Sequence, residues 1–256
     1  MNYYEIKNVN LEKPFSVAKE LFHNSFRRFD GDANFINRNP GSNIGIHPFK
    51  QGLFISWKPR AKKILFKEFK KIFSCPFYNI NVFYTPAKGF YNWHTEGTQN
   101  LHRGPKELST AVSLLKLRRN CAINYTLTDN DLSKSKLCWG EPLPEIKQLL
   151  DDNYRKIDID GTGVNKKNKN SVTDRGILEV DNKIGLSIGF ESVSDHNLVT
   201  KVDEYVGLDV PLLIRTDMFH MVDNSECEFD RIVGTVSFEP GMLIEDAKDM
   251  ITNMAK

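Results

Sequence analysis

Hydrophobic residues recur at helical spacing in two stretches of the first quarter of the chain. Across Pro14–Phe26 they put Val17, Leu21 and Phe22 on one stripe. Across Lys58–Phe73 they put Ala61, Ile64, Leu65, Phe69 and Ile72 on another, opposite many lysines. This spacing predicts two amphipathic helices that buttress a sheet. The segment Asn37–Asn43, with Pro40-Gly41 inside it, carries turn chemistry.

From residue 79 the pattern shortens to β-rich runs: Asn79–Tyr84, Phe90–Glu96, Ala122–Leu127, Ile177–Val180, Lys183–Phe190, Val210–Ile214 and Ile232–Phe238. The apolar-flanked run Met218–Val222 suits another strand, and Ile244–Met254 reads as a terminal helix. Many short strands without intervening helices favour an antiparallel sandwich or barrel. The polar stretch Gly161–Ser171 reads as a mobile surface loop. These elements predict one domain over 1–256. It comprises an N-terminal helical buttress (1–78), a β core (79–240) with an insertion near 138–194, and a C-terminal helix (241–256).

A chain of 256 residues, 40% hydrophobic and 27% charged, has the make-up of a soluble globular protein. No stretch approaches the ~20 apolar residues of a membrane span. The N-terminus lacks a basic and apolar leader, so a cytoplasmic protein is expected. A formal charge of +2 offers no global field for nucleic acid, and neither a nucleic-acid nor a membrane partner is expected. Four cysteines without a C-x-x-C pair are too sparse to staple this chain and predict free thiols.

The chemistry-bearing residues are His94-Thr95-Glu96, then His220 and Asn224, then Arg231. On a strand, residues i and i+2 face the same way, so His94 and Glu96 can chelate one ion, with His220 as a third ligand from another strand. Two imidazoles and a carboxylate suit Fe(II), and leave positions open for other ligands. A second pattern lies in Arg118–Leu127. One parity carries Arg118, Asn120, Ala122, Asn124 and Thr126, which fits either a wet pocket inside a barrel or a solvent-facing side. His102 lies in the stretch after the first histidine. The lysines of 58–71 read as the solvated face of a helix.

The order and spacing of His94, Glu96, His220, Asn224 and Arg231 resemble the Fe(II)/2-oxoglutarate-dependent oxygenases, most of all the aspartyl/asparaginyl β-hydroxylase-like and prolyl hydroxylase-like branches. The resemblance covers roughly 79–240 and implies a mainly β fold with flanking helices and a double-stranded β-helix (jelly-roll, cupin-like) core. It implies that His94, Glu96 and His220 hold Fe(II) and that Arg231 binds the distal carboxylate of 2-oxoglutarate, with Asn124 and Arg118 in co-substrate contacts. The implied reaction is hydroxylation of a protein side chain, an amino acid or a small metabolite, with O2 and 2-oxoglutarate consumed. Glu96 stands where aspartate is commoner. Val233 stands two residues after Arg231, where many members carry a hydroxyl that helps hold the same carboxylate. Two other readings stay open: a cupin-like isomerase or lyase using its ion as a Lewis acid, and a non-catalytic binding module on the same barrel. Specificity for any substrate is expected near Asn37–His47, Gly97–Lys106 and Cys138–Ser194.

Overall fold

The chain weaves between two antiparallel sheets. In spatial order the first is β1 (Tyr3–Glu5), β12 (Leu212–Arg215), β6 (Cys121–Thr126), β14 (Arg231–Phe238) and β4 (Phe77–Thr85). The second is β11 (Val199–Val206), β7 (Lys136–Pro142), β13 (Phe219–Asp223), β5 (Phe90–His94), β10 (Phe190–Val193), β9 (Ile184–Ser187) and β8 (Leu178–Val180). The chain changes sheet from β4 to β5, β6 to β7, β11 to β12 and β13 to β14. The row β12-β6-β14-β4 therefore lies over the row β11-β7-β13-β5, which is the expected double-stranded β-helix. Ala122, Ile214 and Val233 of one sheet meet Leu137, Trp139 and Val222 of the other in a shared apolar cluster. This is a computed structural model, and it describes residues 1–7, 12–27, 29, 31–49, 52–73, 77–96, 120–150, 178–180, 184–187, 190–239 and 241–253.

The outer face of the first sheet is covered by α1 (Glu12–Phe26), α2 (Ala33–Arg38), α3 (Pro59–Lys70), the C-terminal helix Ile244–Asn253 and a hairpin of β2 (Ile44–Phe49) and β3 (Gly52–Trp57). Helix α3 begins with Pro59, which has no N–H to lose in the first turn, and ends with Lys67 and Lys70 near its negative pole. It buries Ala61, Leu65 and Phe69. Each of the two larger side chains contributes about 1.5–3 kcal/mol of transfer free energy. Ile64, expected on that stripe, is exposed. It lies about 100° around the helix from Leu65, at the edge of the buried face. Lys58 just before α3 donates from Nζ to the carbonyls of Ile36, Asn37 and Asn39 and so caps the end of α2.

Strand β14 shows why this sheet is apolar on one face and polar on the other. All eight of its residues are buried. Ile232, Val236 and Phe238 enter the cluster under the helices, while Arg231, Val233, Thr235 and Ser237 take the opposite parity toward the second sheet. Gly234 is required by close approach. Tyr125 pairs with it across β6, and a Cβ there would lie 2.3 Å from Tyr125 Cζ.

Several sequence expectations are corrected. The N-terminal part is not helical alone, because β1 joins the first sheet through β12 and β2–β3 form a hairpin. Lys183–Phe190, read as one strand, contains β9 and the start of β10, which pair antiparallel. Residues 138–142, read as part of an insertion, belong to β7 between β11 and β13. These strands are short, so local periodicity carries little of their signal. The loop Gly161–Ser171 lies outside the described residues. Cys121, Cys138 and Cys227 are free thiols, and Cys75 lies outside the described residues. No helix among the described residues is long and apolar enough to cross a membrane.

Candidate metal centre

Strands β5 and β13 are neighbours, and His94 pairs directly with His220. The next pair is Tyr91 with Val222, so three residues of β5 span two of β13. This bulge turns both Tyr91 and His94 toward the interior, although their odd spacing would otherwise put them on opposite faces. Trp93 instead joins the apolar cluster outside the second sheet. The strand ends at His94, two residues short of the expected Glu96. Glu96 is nevertheless held in place, since its backbone N–H donates to the Thr216 carbonyl at 3.0 Å.

The ligating atoms of His94, Glu96 and His220 all lie within 4.8 Å of one another, and the three residues are 6%, 5% and 3% exposed. Ligands around a bound transition-metal ion stand roughly 3 Å apart, so a modest side-chain adjustment would close the set on an ion. Nδ1 of His94 is 2.8 Å from the Asn92 carbonyl, and Nδ1 of His220 is 3.0 Å from the Met218 carbonyl. A carbonyl only accepts, so each Nδ1 carries the proton and donates it. These bonds orient each ring so that Nε2 is the nitrogen it would offer a metal. The two rings are 4.3 Å apart between centroids, and Tyr91 meets His94 edge-on at 4.9 Å. The donor set, two neutral imidazoles and one carboxylate with no thiolate, fits Fe(II) or a similar ion.

The same cavity holds Arg231, Asn124 and Thr85. Its walls are mostly apolar, with Phe83, Tyr91, Leu137, Ile214, Val222 and Val233 among them. The free space is about 30 Å³, room for an ion and one or two waters. Arg231 is 3% exposed, and its guanidinium makes no hydrogen bond or ion pair among the described residues. Burial pulls its pKa down to about 10, which leaves it charged at neutral pH. An uncompensated buried charge is costly and calls for an anion. Thr85 pairs directly with Arg231 across β4 and β14, so both side chains leave the sheet on the cavity side.

Asn124 lines the cavity from β6, and its Oδ1 accepts a 2.7 Å hydrogen bond from Thr235 Oγ1 on β14. The polar parity of β6 therefore faces the interior, and the alternate residues Cys121, Ile123 and Tyr125 pack under the helices. Asn224 lies outside the cavity. It ties two loops together, donating from Nδ2 to the carbonyls of Pro86 and Phe229 and from its backbone N–H to that of Gly89. Asp230 closes the same loop pair by accepting from Tyr84 Oη and the Ala87 N–H. Burial and the nearby Asp230 carboxylate together push the Tyr84 phenol up to about 12.

Arg118 and His102 lie outside the described residues, as does Gly97–Lys106. None of Asn37–His47 lines the cavity, nor does any described residue of Cys138–Ser194. The covering of that hairpin by α2 explains the first: Asn37 hydrogen bonds both the N–H and the carbonyl of Ile46. Thr85, Thr235 and Tyr91 were missed from sequence. The parity of Thr85 and Thr235 in their strands was readable, but their facing partners were not.

No family model matches the sequence, and no curated protein matches it. Solved structures resemble this chain at low identity and low structural similarity. AviO1 from Streptomyces viridochromogenes Tue57 is 10% identical, with 94% of this chain and 91% of that one covered and a TM-score of 0.40. A non-heme monooxygenase, the ThoJ-Ni complex, is 9% identical over 93% of this chain and 74% of that one, TM-score 0.35. The dTDP-6-deoxy-D-glucose-3,5-epimerase RmlC from Legionella pneumophila Philadelphia 1 is 8% identical over 77% and 64%, TM-score 0.24. Fold and site together define a double-stranded β-helix with a buried His–Glu–His cluster able to hold a metal ion.

Proposed function

We propose that this protein is an Fe(II)- and 2-oxoglutarate-dependent dioxygenase that hydroxylates a protein side chain, an amino acid or a small metabolite. The observation that carries this reading is a buried Arg231 guanidinium, without a partner among the described residues, in the same cavity as His94, Glu96 and His220. A metal cluster alone is compatible with Lewis-acid chemistry. A cluster with a cation waiting in its cavity suits a co-substrate that chelates the ion at one end and carries a carboxylate at the other.

His94, Glu96 and His220 would hold the ion on one face, with the imidazoles fixed by their bonds to Asn92 and Met218. Bound Fe(II) would supply O2 activation coupled to oxidative decarboxylation of 2-oxoglutarate to succinate and CO2, with one oxygen atom inserted into a substrate C–H bond. Arg231 would grip the distal carboxylate. Thr85, facing it across the strand pair, would supply the hydroxyl that Val233 lacks. The aromatic and aliphatic walls would exclude water from the reacting atoms.

Anaerobic titration with Fe(II) and 2-oxoglutarate tests this, through the visible charge-transfer band of a chelated complex. The band should form in the native protein and vanish in His220→Ala. In Arg231→Ala it should require co-substrate weakened by about 2–5 kcal/mol. Stoichiometric iron binding without any band would overturn the proposal in favour of a Lewis-acid isomerase or lyase. Failure to bind iron would favour a binding module.

A further inference from the structure

Asn124 and Thr235 form a buried pair whose polarity bears on what the cavity accepts. Thr235 is fully buried and Asn124 is 6% exposed. They are directly paired across β6 and β14, and only Asn124 lines the cavity. The amide can sit two ways. With Thr235 Oγ1–H donating to Oδ1, both groups are satisfied and Nδ2 is the atom presented to the cavity. With the amide reversed, Nδ2 would donate to Oγ1, the hydroxyl proton would have no acceptor among the described residues, and the acceptor Oδ1 would face the cavity. A hydroxyl proton stranded away from the cavity is costly, whereas N–H groups facing the cavity can meet water or a ligand there, and this selects the first arrangement.

We infer that Thr235 is a positioning residue that locks Asn124 with its N–H groups toward the cavity, so that this wall, like Arg231, offers donors to an anionic co-substrate. The inference rests on the co-substrate reading above and adds a selectivity device to it. A locked Asn124 donor favours a carboxylate or keto oxygen and disfavours a ligand that presents N–H or O–H at that point. Thr235 itself touches no ligand and acts through Asn124.

The test is anaerobic equilibrium titration of iron-loaded protein with 2-oxoglutarate in Thr235→Val, Thr235→Ser, Asn124→Leu and the Asn124→Leu/Thr235→Val double variant, with thermal melts of each. Thr235→Val should weaken 2-oxoglutarate about tenfold and shift its charge-transfer band, with iron affinity unchanged. Thr235→Ser should restore native affinity. In the Asn124→Leu background, Thr235→Val should have no further effect on affinity, which a merely structural role would not predict. Native-like affinity in a folded Thr235→Val overturns the inference and leaves the co-substrate reading standing. An additive loss in the double variant also overturns it. No band even in the native protein overturns both.

Discussion

The two faces of the five-stranded sheet are both buried, but only one of them carries polar and charged side chains among its apolar ones. Toward the helices, Ile123, Ile232, Val236 and Phe238 pack in a continuous apolar cluster. Toward the second sheet, the same strands put Asn124, backed by Thr235, and Arg231 beside a cavity with the His94–Glu96–His220 cluster in it. Burial by itself therefore does not mark a core. A face that is both buried and polar costs stability unless its groups are paired or something binds there.

That contrast can be tested by substitution on each face, read as unfolding free energy beside ligand affinity. The largest effect belongs to the apolar face. Phe238→Ala removes a fully buried ring that meets Phe73 edge-on at 5.6 Å, and should cost about 3–5 kcal/mol in denaturant unfolding while the folded fraction binds iron normally. A lost iron site in folded Phe238→Ala protein would erase the division between the faces.

Arg231→Met should move the other way. Replacing a buried charge that has no partner among the described residues with an apolar side chain should raise stability by about 1–4 kcal/mol without ligand. Saturating 2-oxoglutarate should close that gap by stabilising the native protein alone. A destabilised Arg231→Met would mean that the guanidinium is a structural group.

The smallest effect sharpens the comparison at its one irregular point. Tyr125 sits on the apolar face, fully buried against Phe15 and across from Gly234, and its hydroxyl has no hydrogen-bond partner among the described residues. Desolvation alone pushes that phenol far above its ordinary pKa. Tyr125→Phe should therefore stabilise by about 1 kcal/mol in the same unfolding assay, with ligand affinity unchanged. A loss of stability would reveal a hidden partner for the hydroxyl.

Much of this site was legible from residue types and spacing. His94 and Glu96 two apart, with His220 in an apolar-flanked run, are the three residues that meet, and Asn124 sits on the parity read as polar. The strand end was less legible, because Glu96 is held by a backbone bond to Thr216 after β5 has stopped, and sequence periodicity does not encode such long-range anchors. The N-terminal third was read as helical because β1, β2 and β3 are short, and β1 pairs with a strand about 200 residues away while β2 and β3 pair with each other.

Local sequence by itself determined the amphipathic helices, the short strands and the donor types available to a metal, since these depend on side-chain chemistry and on periods of two or 3.6 residues. Only the tertiary structure decided that His94 stands opposite His220, that a bulge turns Tyr91 inward beside it, and that Thr85 faces Arg231. It also decided that the polar side of β6 looks into a cavity and not into water. These are matters of strand partner and register, set by hydrogen bonds between segments up to about 150 residues apart, and no local pattern specifies them.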